Sequence, residues 1–237
     1  MTTSLDSYRP DFSLTNRTCI ITGGTGVLGT VMARSVAAAG ANVVIVGRRA
    51  EACASVANSI EAAGGSALAA PADVLIREQL EEVRERTLER FGAIDALVNG
   101  AGGNVPAATL GPDDTFTALD ADAMRDVMDL NFQGTFLPTQ IFVPPMIERG
   151  TGSIVNISSM ATVGAVTRVA GYSAAKAATE NFTRWLAATL ALQHGDGFVI
   201  LAPAVLVGHP FALGAGIVAV EHRGHGIHAQ PVDVVFL

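Results

Sequence analysis

The sequence predicts an α/β fold, a doubly wound parallel sheet with helices on both faces. Three observations carry that expectation. Short apolar runs alternate with longer stretches of helical period, as when buried strands are joined by crossover helices. The first run, Arg17 to Thr22, leads directly into the turn Gly23-Gly24-Thr25-Gly26-Val27-Leu28-Gly29 and then a helical pattern through Ala39. That order places a helix N-terminus, with its free N–H groups, at the end of a strand. Finally, 237 residues with 49% hydrophobic and 16% charged content can bury one large core.

The remaining elements follow in order. Asn42 to Gly47 is rich in β-branched residues and reads as the second strand. Glu51 to Ala63 has helical period, Ser66 to Ala70 is a short apolar strand, and Arg77 to Phe91 is an amphipathic helix. Ile94 to Val98 is the fourth strand. Ala121 to Arg149 reads as one long helix that Pro144-Pro145 should end or kink. Ser153 to Ser158 and Phe198 to Ala202 are strands flanking a helix over Tyr172 to His194. Strands joined by right-handed crossovers make one parallel sheet. Runs such as Ala37-Ala38-Ala39 suit helices packed closely on a sheet. Residues 1–237 therefore form a single domain, with 1–16 an N-terminal tail and 208–237 an atypical tail.

Composition excludes several classes of partner. A net charge of -7 and a pI near 5.1 give no general attraction to nucleic acid or to an anionic membrane. No apolar run is long enough to span a bilayer, and the polar start has no signal-peptide pattern, so the cytoplasm is expected. Cys19 and Cys53 are spaced for neither a zinc site nor a disulfide framework and read as buried thiols. Small metabolites remain as partners.

The chemistry lies in Tyr172-Ser173-Ala174-Ala175-Lys176, thirteen residues beyond Ser159. Residues four apart on a helix share a face, so the Lys176 ammonium can stabilise an ionised Tyr172 phenol and make it a proton donor and acceptor near neutral pH. Such a spacing alone is more often a solvated helix face. Its company at the glycine-rich turn, where a pyrophosphate can rest, points to redox chemistry on a dinucleotide.

Thr22 to Gly29, Asp73-Val74, Asn99-Gly100-Ala101-Gly102, Asn131, Ser159 and Tyr172 to Lys176 occur in the order found in the short-chain dehydrogenase/reductase family, which this chain resembles over roughly residues 15 to 205. The turn departs from the family pattern in carrying Gly26 and placing Val27 where a glycine is usual, and Gly100 replaces an asparagine. The resemblance implies a Rossmann-like fold and hydride exchange between a nicotinamide and a carbonyl or alcohol. It assigns Tyr172 as acid or base, Lys176 as its activator and a ligand of the nicotinamide ribose, Ser159 as donor to the alkoxide oxygen, and Asn131 as holder of a relay water. Thr22, Gly23, Thr25, Gly26, Val27, Leu28, Gly29, Asn99, Gly100, Ala101 and Gly102 would line the dinucleotide. Asp73 would meet the adenine edge and Val74 its face. Pro203 and Val205 would lie at the nicotinamide, with backbone from Val205 to Val207 holding the carboxamide. The family expectation is also a homo-oligomer, dimer or tetramer, through the helices over Ala121 to Arg149 and Tyr172 to His194.

Where an NAD-selecting member carries an aspartate, the second strand here ends in Gly47, followed by Arg48 and Arg49. Arginines there suit a 2′-phosphate, so NADP(H) is favoured with NAD(H) as the alternative. The segments around Gly102, Asn131 and Ser159 are similar to mannonate oxidoreductases and fructuronate reductases of the family, which implies a sugar acid or polyol. Arg168 is either a ligand for a substrate carboxylate or a solvated loop residue. Beyond the sixth strand the resemblance fades: Ala202-Pro203-Ala204 lacks the usual glycine, and from His209 onward the family pattern is lost, so the C-terminal part of the fold reads as incomplete. The histidines of that tail, His209, His222, His225 and His228, read as a solvated loop before a metal site. Pro231 to Leu237 has the composition of an edge strand. Two functions follow: an NAD(P)(H)-dependent ketone or alcohol oxidoreductase, or a shortened member that binds dinucleotide without turnover.

Overall fold

The computed structural model describes residues 12–164, 166–205, 215–218 and 235–236. Six parallel strands form its centre: β1 (Thr18–Thr22), β2 (Asn42–Gly47), β3 (Ser66–Pro71), β4 (Ala96–Asn99), β5 (Gly152–Asn156) and, after the two-residue β6 (Ser158–Ser159), β7 (Phe198–Val205). Their spatial order is β3-β2-β1-β4-β5-β7. Successive strands are therefore added in one direction from β1 and in the other from β4, and the crevice beyond the carboxyl ends of these two is where ligands bind in open α/β sheets.

Alternation along the strands builds two cores, because successive side chains leave opposite faces. Ile20, Val44, Val46, Leu97, Ile154 and Ile200 face α3 (Arg77–Phe91) and the later helices. Cys19, Ile21, Val43, Ile45 and Val98 face α1 (Val27–Ala38) and α2 (Ala50–Ala62). Both thiols are buried and unbridged. Burial, with the nearby Asp95 charge adding to it, pushes Cys19 up to about 12.

At the opposite, amino-terminal edge of the sheet Asp95 ties the strands together. Its carboxylate accepts from the Thr18 N–H at 2.9 Å and pairs with Arg17 and Arg149, each at 3.1 Å.

The helix expected over Ala121 to Arg149 is in fact three helices: α4 (Ala121–Met128), a π turn over Asp129–Gln133 leading into α5 (Gly134–Phe142), and α6 (Pro144–Arg149). Two causes are visible. The Asn131 side-chain amide donates to the Val127 carbonyl at 2.9 Å, the acceptor that the α-helical ladder would reserve for its backbone. Pro144 and Pro145, with no N–H, break the ladder at Val143. The last long helix, α7 (Ala170–His194), begins two residues before the expected start.

The strand Phe198 to Ala202 is longer than expected and runs to Val205. Beyond it β8 (Ala215–Val218) pairs antiparallel with β7, and β9 (Val235–Phe236) pairs with β8. The edge strand anticipated over Pro231 to Leu237 is thus described only at Val235–Phe236. The tail histidines, Leu206 and Val207, which were expected to help hold the carboxamide, and the N-terminal residues 1–11 lie outside the described residues. Among the described residues no helix is long and apolar enough to cross a membrane.

Candidate active site

The carboxyl end of β1 opens into the glycine-rich turn, whose shape only small residues permit. Gly23 adopts φ 65°, and a Cβ there would lie 2.6 Å from the Gly100 carbonyl oxygen and 2.8 Å from the Ala101 nitrogen. A Cβ on Gly29 would stand 2.1 Å from the Gly23 oxygen. The turn is therefore folded on itself and pressed against the loop after β4. Thr22 braces that loop from below, its hydroxyl accepting from the N–H groups of Gly100 (3.1 Å) and Ala101 (3.2 Å). Helix α1 starts at Val27 with Gly26 as a cap that supplies no side-chain acceptor, so its first N–H groups point into the crevice without one. Val27, 88% exposed, and Leu28 stand open beside it.

The second corner of the crevice lies past β2 and β3. Arg48 and Asp73 line one cleft of about 490 Å³ together with Ile76, Gln79 and Glu82. Asp73 is fixed by its neighbours: its carboxylate accepts from the Leu75 N–H at 3.0 Å and its own N–H donates to Gln79 Oε1 at 2.7 Å. Arg49 is exposed at the start of α2, outside that cleft. Val74 is buried, and a Cβ on Gly134 would come within 3.0 Å of its Cγ2, so it packs towards α5. A folded glycine turn, an uncapped helix start and a guanidinium sharing a cleft with a carboxylate fit a dinucleotide: phosphates at the helix start, adenosine by Arg48 and Asp73.

The four expected catalytic side chains come from three segments. Tyr172 and Lys176 stand one turn apart on α7, with the Lys176 ammonium 5.8 Å from the centre of the Tyr172 ring. Tyr172 is half-buried and packs on Ala108, Ala123 and Val127. Lys176 is 4% exposed and donates to the Ile157 carbonyl at 2.8 Å; burial pulls its pKa down to about 8. Ser158 and Ser159 diverge as adjacent strand residues must. Ser158 is buried towards Glu180, while Ser159 is half-buried and accepts from the Ala161 N–H at 3.2 Å. Pairing of β6 with β7 sets Val205 beside Ser159 and Ala204 beside Ser158; Pro203 precedes them on the same strand.

Asn131 occupies the π turn fully buried. Its amide donates to the Gly103 carbonyl at 2.6 Å and its oxygen accepts from the Gly103 N–H at 3.1 Å. A Cβ on Gly102 would lie 2.7 Å from Asn131 Oδ1 and 3.2 Å from Lys176 Nζ, so Asn131, Lys176 and the loop after β4 meet at one point. Arg168, on the same side, holds φ 72° and pairs with the segment between Gly103 and Asp120: Leu110 donates to the Arg168 carbonyl at 3.0 Å, and Arg168 Nε donates back to the Leu110 carbonyl.

Beneath the site runs a buried polar ladder that the sequence reading missed. Asn99 Nδ2 donates to Thr139 Oγ1 at 3.0 Å and to Asn156 Oδ1 at 2.8 Å. Asn156 donates on to Thr183 (2.9 Å), and Thr139 and Thr183 donate to the carbonyls of Thr135 and Thr179. Asn99 Oδ1 alone among the described buried side-chain atoms has no partner. Asn99 is thus a brace inside the sheet. The signal was present as threonines four apart, 135/139 and 179/183, on helical faces that are otherwise apolar.

Residues 17–205 match the family model described as short chain dehydrogenase. An uncharacterized oxidoreductase of Bacillus subtilis, UxuB, is 43% identical over 183 residues, 74% of this chain and 66% of the relative. An uncharacterized oxidoreductase of Haemophilus influenzae is 40% identical over 185 residues, 74% of this chain and 65% of the relative. The chain so spans just under two thirds of the length of these relatives. A solved structure of a candidate D-mannonate oxidoreductase from Haemophilus influenza with bound NAD aligns with a TM-score of 0.76 at 38% identity, covering 83% of this chain and 73% of that one.

Proposed function

We propose a hydride-transfer activity on a premise the chain itself supplies: it belongs to the short-chain dehydrogenase family. The reaction is the interconversion of a ketone and a secondary alcohol. When bound, the nicotinamide dinucleotide supplies or accepts the hydride. Thr25, Gly26 and the start of α1 hold its phosphates, Arg48 and Asp73 its adenosine, and Lys176 its nicotinamide ribose. In the reducing direction the Tyr172 hydroxyl gives its proton to the substrate oxygen, and in the oxidising direction it takes that proton back. Ser159 donates a hydrogen bond to the same oxygen, where negative charge develops. The Lys176 ammonium stands one turn along α7 from Tyr172, 5.8 Å from the centre of its ring. Asn131 pins the loop at Gly103 and so keeps the crevice edge in register with Lys176.

The observation that carries this reading is the convergence of a buried Lys176 with Tyr172, Gly102 and Asn131 at the mouth of a folded glycine turn. Gly47 followed by Arg48 favours NADP(H) over NAD(H). The similarity to a candidate D-mannonate oxidoreductase supports a sugar acid such as fructuronate or mannonate, and Arg168, held in place through Leu110, offers a guanidinium for its carboxylate. The enzyme is read as a cytoplasmic homo-oligomer built on α4 to α7.

The test is initial rates with NADPH and NADH on fructuronate, 5-ketogluconate and a panel of other ketones. Tyr172→Phe should lower kcat by about 10²- to 10⁴-fold. Equal rates for variant and parent would remove Tyr172 as the acid. A second reading, dinucleotide binding without turnover, is favoured by Ala204 standing where the family carries a glycine. Tight binding with no rate on any ketone would establish it.

A further inference from the structure

Gly47 closes β2 at the corner where the adenosine ribose belongs, and its backbone gives no reason for a glycine. Gly47 is not among the residues with positive φ, which include Gly23 and Gly40. What excludes a side chain is a neighbour. A Cβ at position 47 would lie 3.0 Å from Thr25 Oγ1 and 3.2 Å from Thr25 Cγ2, both tighter than ordinary contact, while Cys53 Sγ at 3.5 Å would be tolerated.

Neither partner can back away. The Gly47 carbonyl is held by the Ala72 N–H at 3.0 Å and by the Cys53 thiol at 3.3 Å, and Gly47 itself is in register with Pro71 of β3. On the other side, the turn that carries Thr25 is anchored by Gly24, whose N–H donates to the Val46 carbonyl at 3.1 Å. A Cβ on Gly24 would already be 3.0 Å from Ile45 Cγ2, so the turn sits directly on β2. Rotation of Thr25 gives no relief. Both of its γ atoms face position 47, and a β-branched side chain has only one γ position filled by hydrogen, so every staggered rotamer leaves one heavy atom pointing there.

We propose that Thr25 is a specificity-determining residue of the dinucleotide site: its branched side chain fills the space an acidic side chain at position 47 needs, closing the ribose 2′ corner to a carboxylate and leaving it to Arg48. This rests on the dinucleotide reading given above. Selection against an unphosphorylated ribose is then written twice, once in the residue absent at 47 and once in the residue that prevents its return.

The experiment is a double-mutant cycle read by binding and by stability. Dissociation constants for NADH and NADPH are measured for the parent, Gly47→Asp, Thr25→Ala and the double variant. Gly47→Asp alone should weaken both cofactors without favouring NADH, and adding Thr25→Ala should move the NADH-to-NADPH affinity ratio towards NADH by about tenfold or more. If Gly47→Asp alone moves the ratio as far as the double variant, Thr25 is no determinant. The steric core of the proposal is tested without cofactor by Gly47→Ala, which should lower Tm by about 4 °C in the parent and by less than half as much in Thr25→Ala. Equal losses in both backgrounds would overturn it. A parent that prefers NADH would overturn the NADP(H) reading while the stability cycle still decides the role of Thr25.

Discussion

Lys176 is a cation on a helix face that the rest of the molecule covers, and its described hydrogen bond goes to a neutral carbonyl, that of Ile157. Burial disfavours the charged form, so its pKa falls from 10.5 to about 8. The sign of the linkage follows. Between those values the unfolded chain binds the proton that the folded chain has released, so stability rises with pH through that window, and below about 8 the full penalty of the buried charge is present. Lys176→Met should therefore be more stable than the parent at neutral pH, by on the order of 2 to 3 kcal/mol, and the difference should shrink as pH approaches 10.5. Urea unfolding of the two proteins across that range, without cofactor, checks it; a constant difference would mean that Lys176 titrates alike in the folded and unfolded chains. At this scale the sequence was most readable where a role depends on spacing along one element. Tyr172 and Lys176 could be paired because the helix period sets residues four apart on one face; strand period separates Ser158 from Ser159, and the choice of Ser159 came from the family resemblance. Thr22 and Asn99 were expected to line the dinucleotide, and their side chains turn inward to brace the loop after β4 and the sheet. That direction depends on partners from β5, α5 and α7, which a local reading does not contain.

The interrupted helix from Ala121 to Arg149 shows the same limit one level up. Its composition suits one helix, and the proline pair announced the break at Val143. Nothing in the local pattern announced the π turn, because it is made by a side chain that bonds both to its own helix at Val127 and to a distant loop at Gly103. Asn131→Ala should remove all three bonds, leaving the half-buried Gly103 backbone to find new partners. The expected loss is about 1 to 3 kcal/mol of stability, with a fall in kcat larger than any change in dinucleotide affinity, since the glycine turn is untouched. Urea unfolding and steady-state kinetics on the same preparation check both halves. An unchanged kcat would make Asn131 a structural residue only.

For the molecule as a whole, a doubly wound parallel sheet was implied by the alternation of apolar runs and helices, and the six parallel strands from Thr18 to Val205 follow it. Less legible was the polar ladder that crosses the sheet from α5 to α7, since asparagines inside strands are ordinarily a mark against burial. Asn156→Ala should cost about 2 to 4 kcal/mol, because it leaves Asn99 and Thr183 with unpaired groups in a dry interior; a loss under 0.5 kcal/mol in urea unfolding, the size of an ordinary surface change, would show that the ladder is not sealed from water. The pairing of Thr22 with Gly100, 78 residues later, has a further consequence. A ribosome delivers the glycine turn long before the segment that braces it. A growing chain whose β4 loop is still in the exit tunnel can carry the glycine turn without the loop that packs against it, so any ligand that needs both must wait for the middle of the polypeptide to emerge.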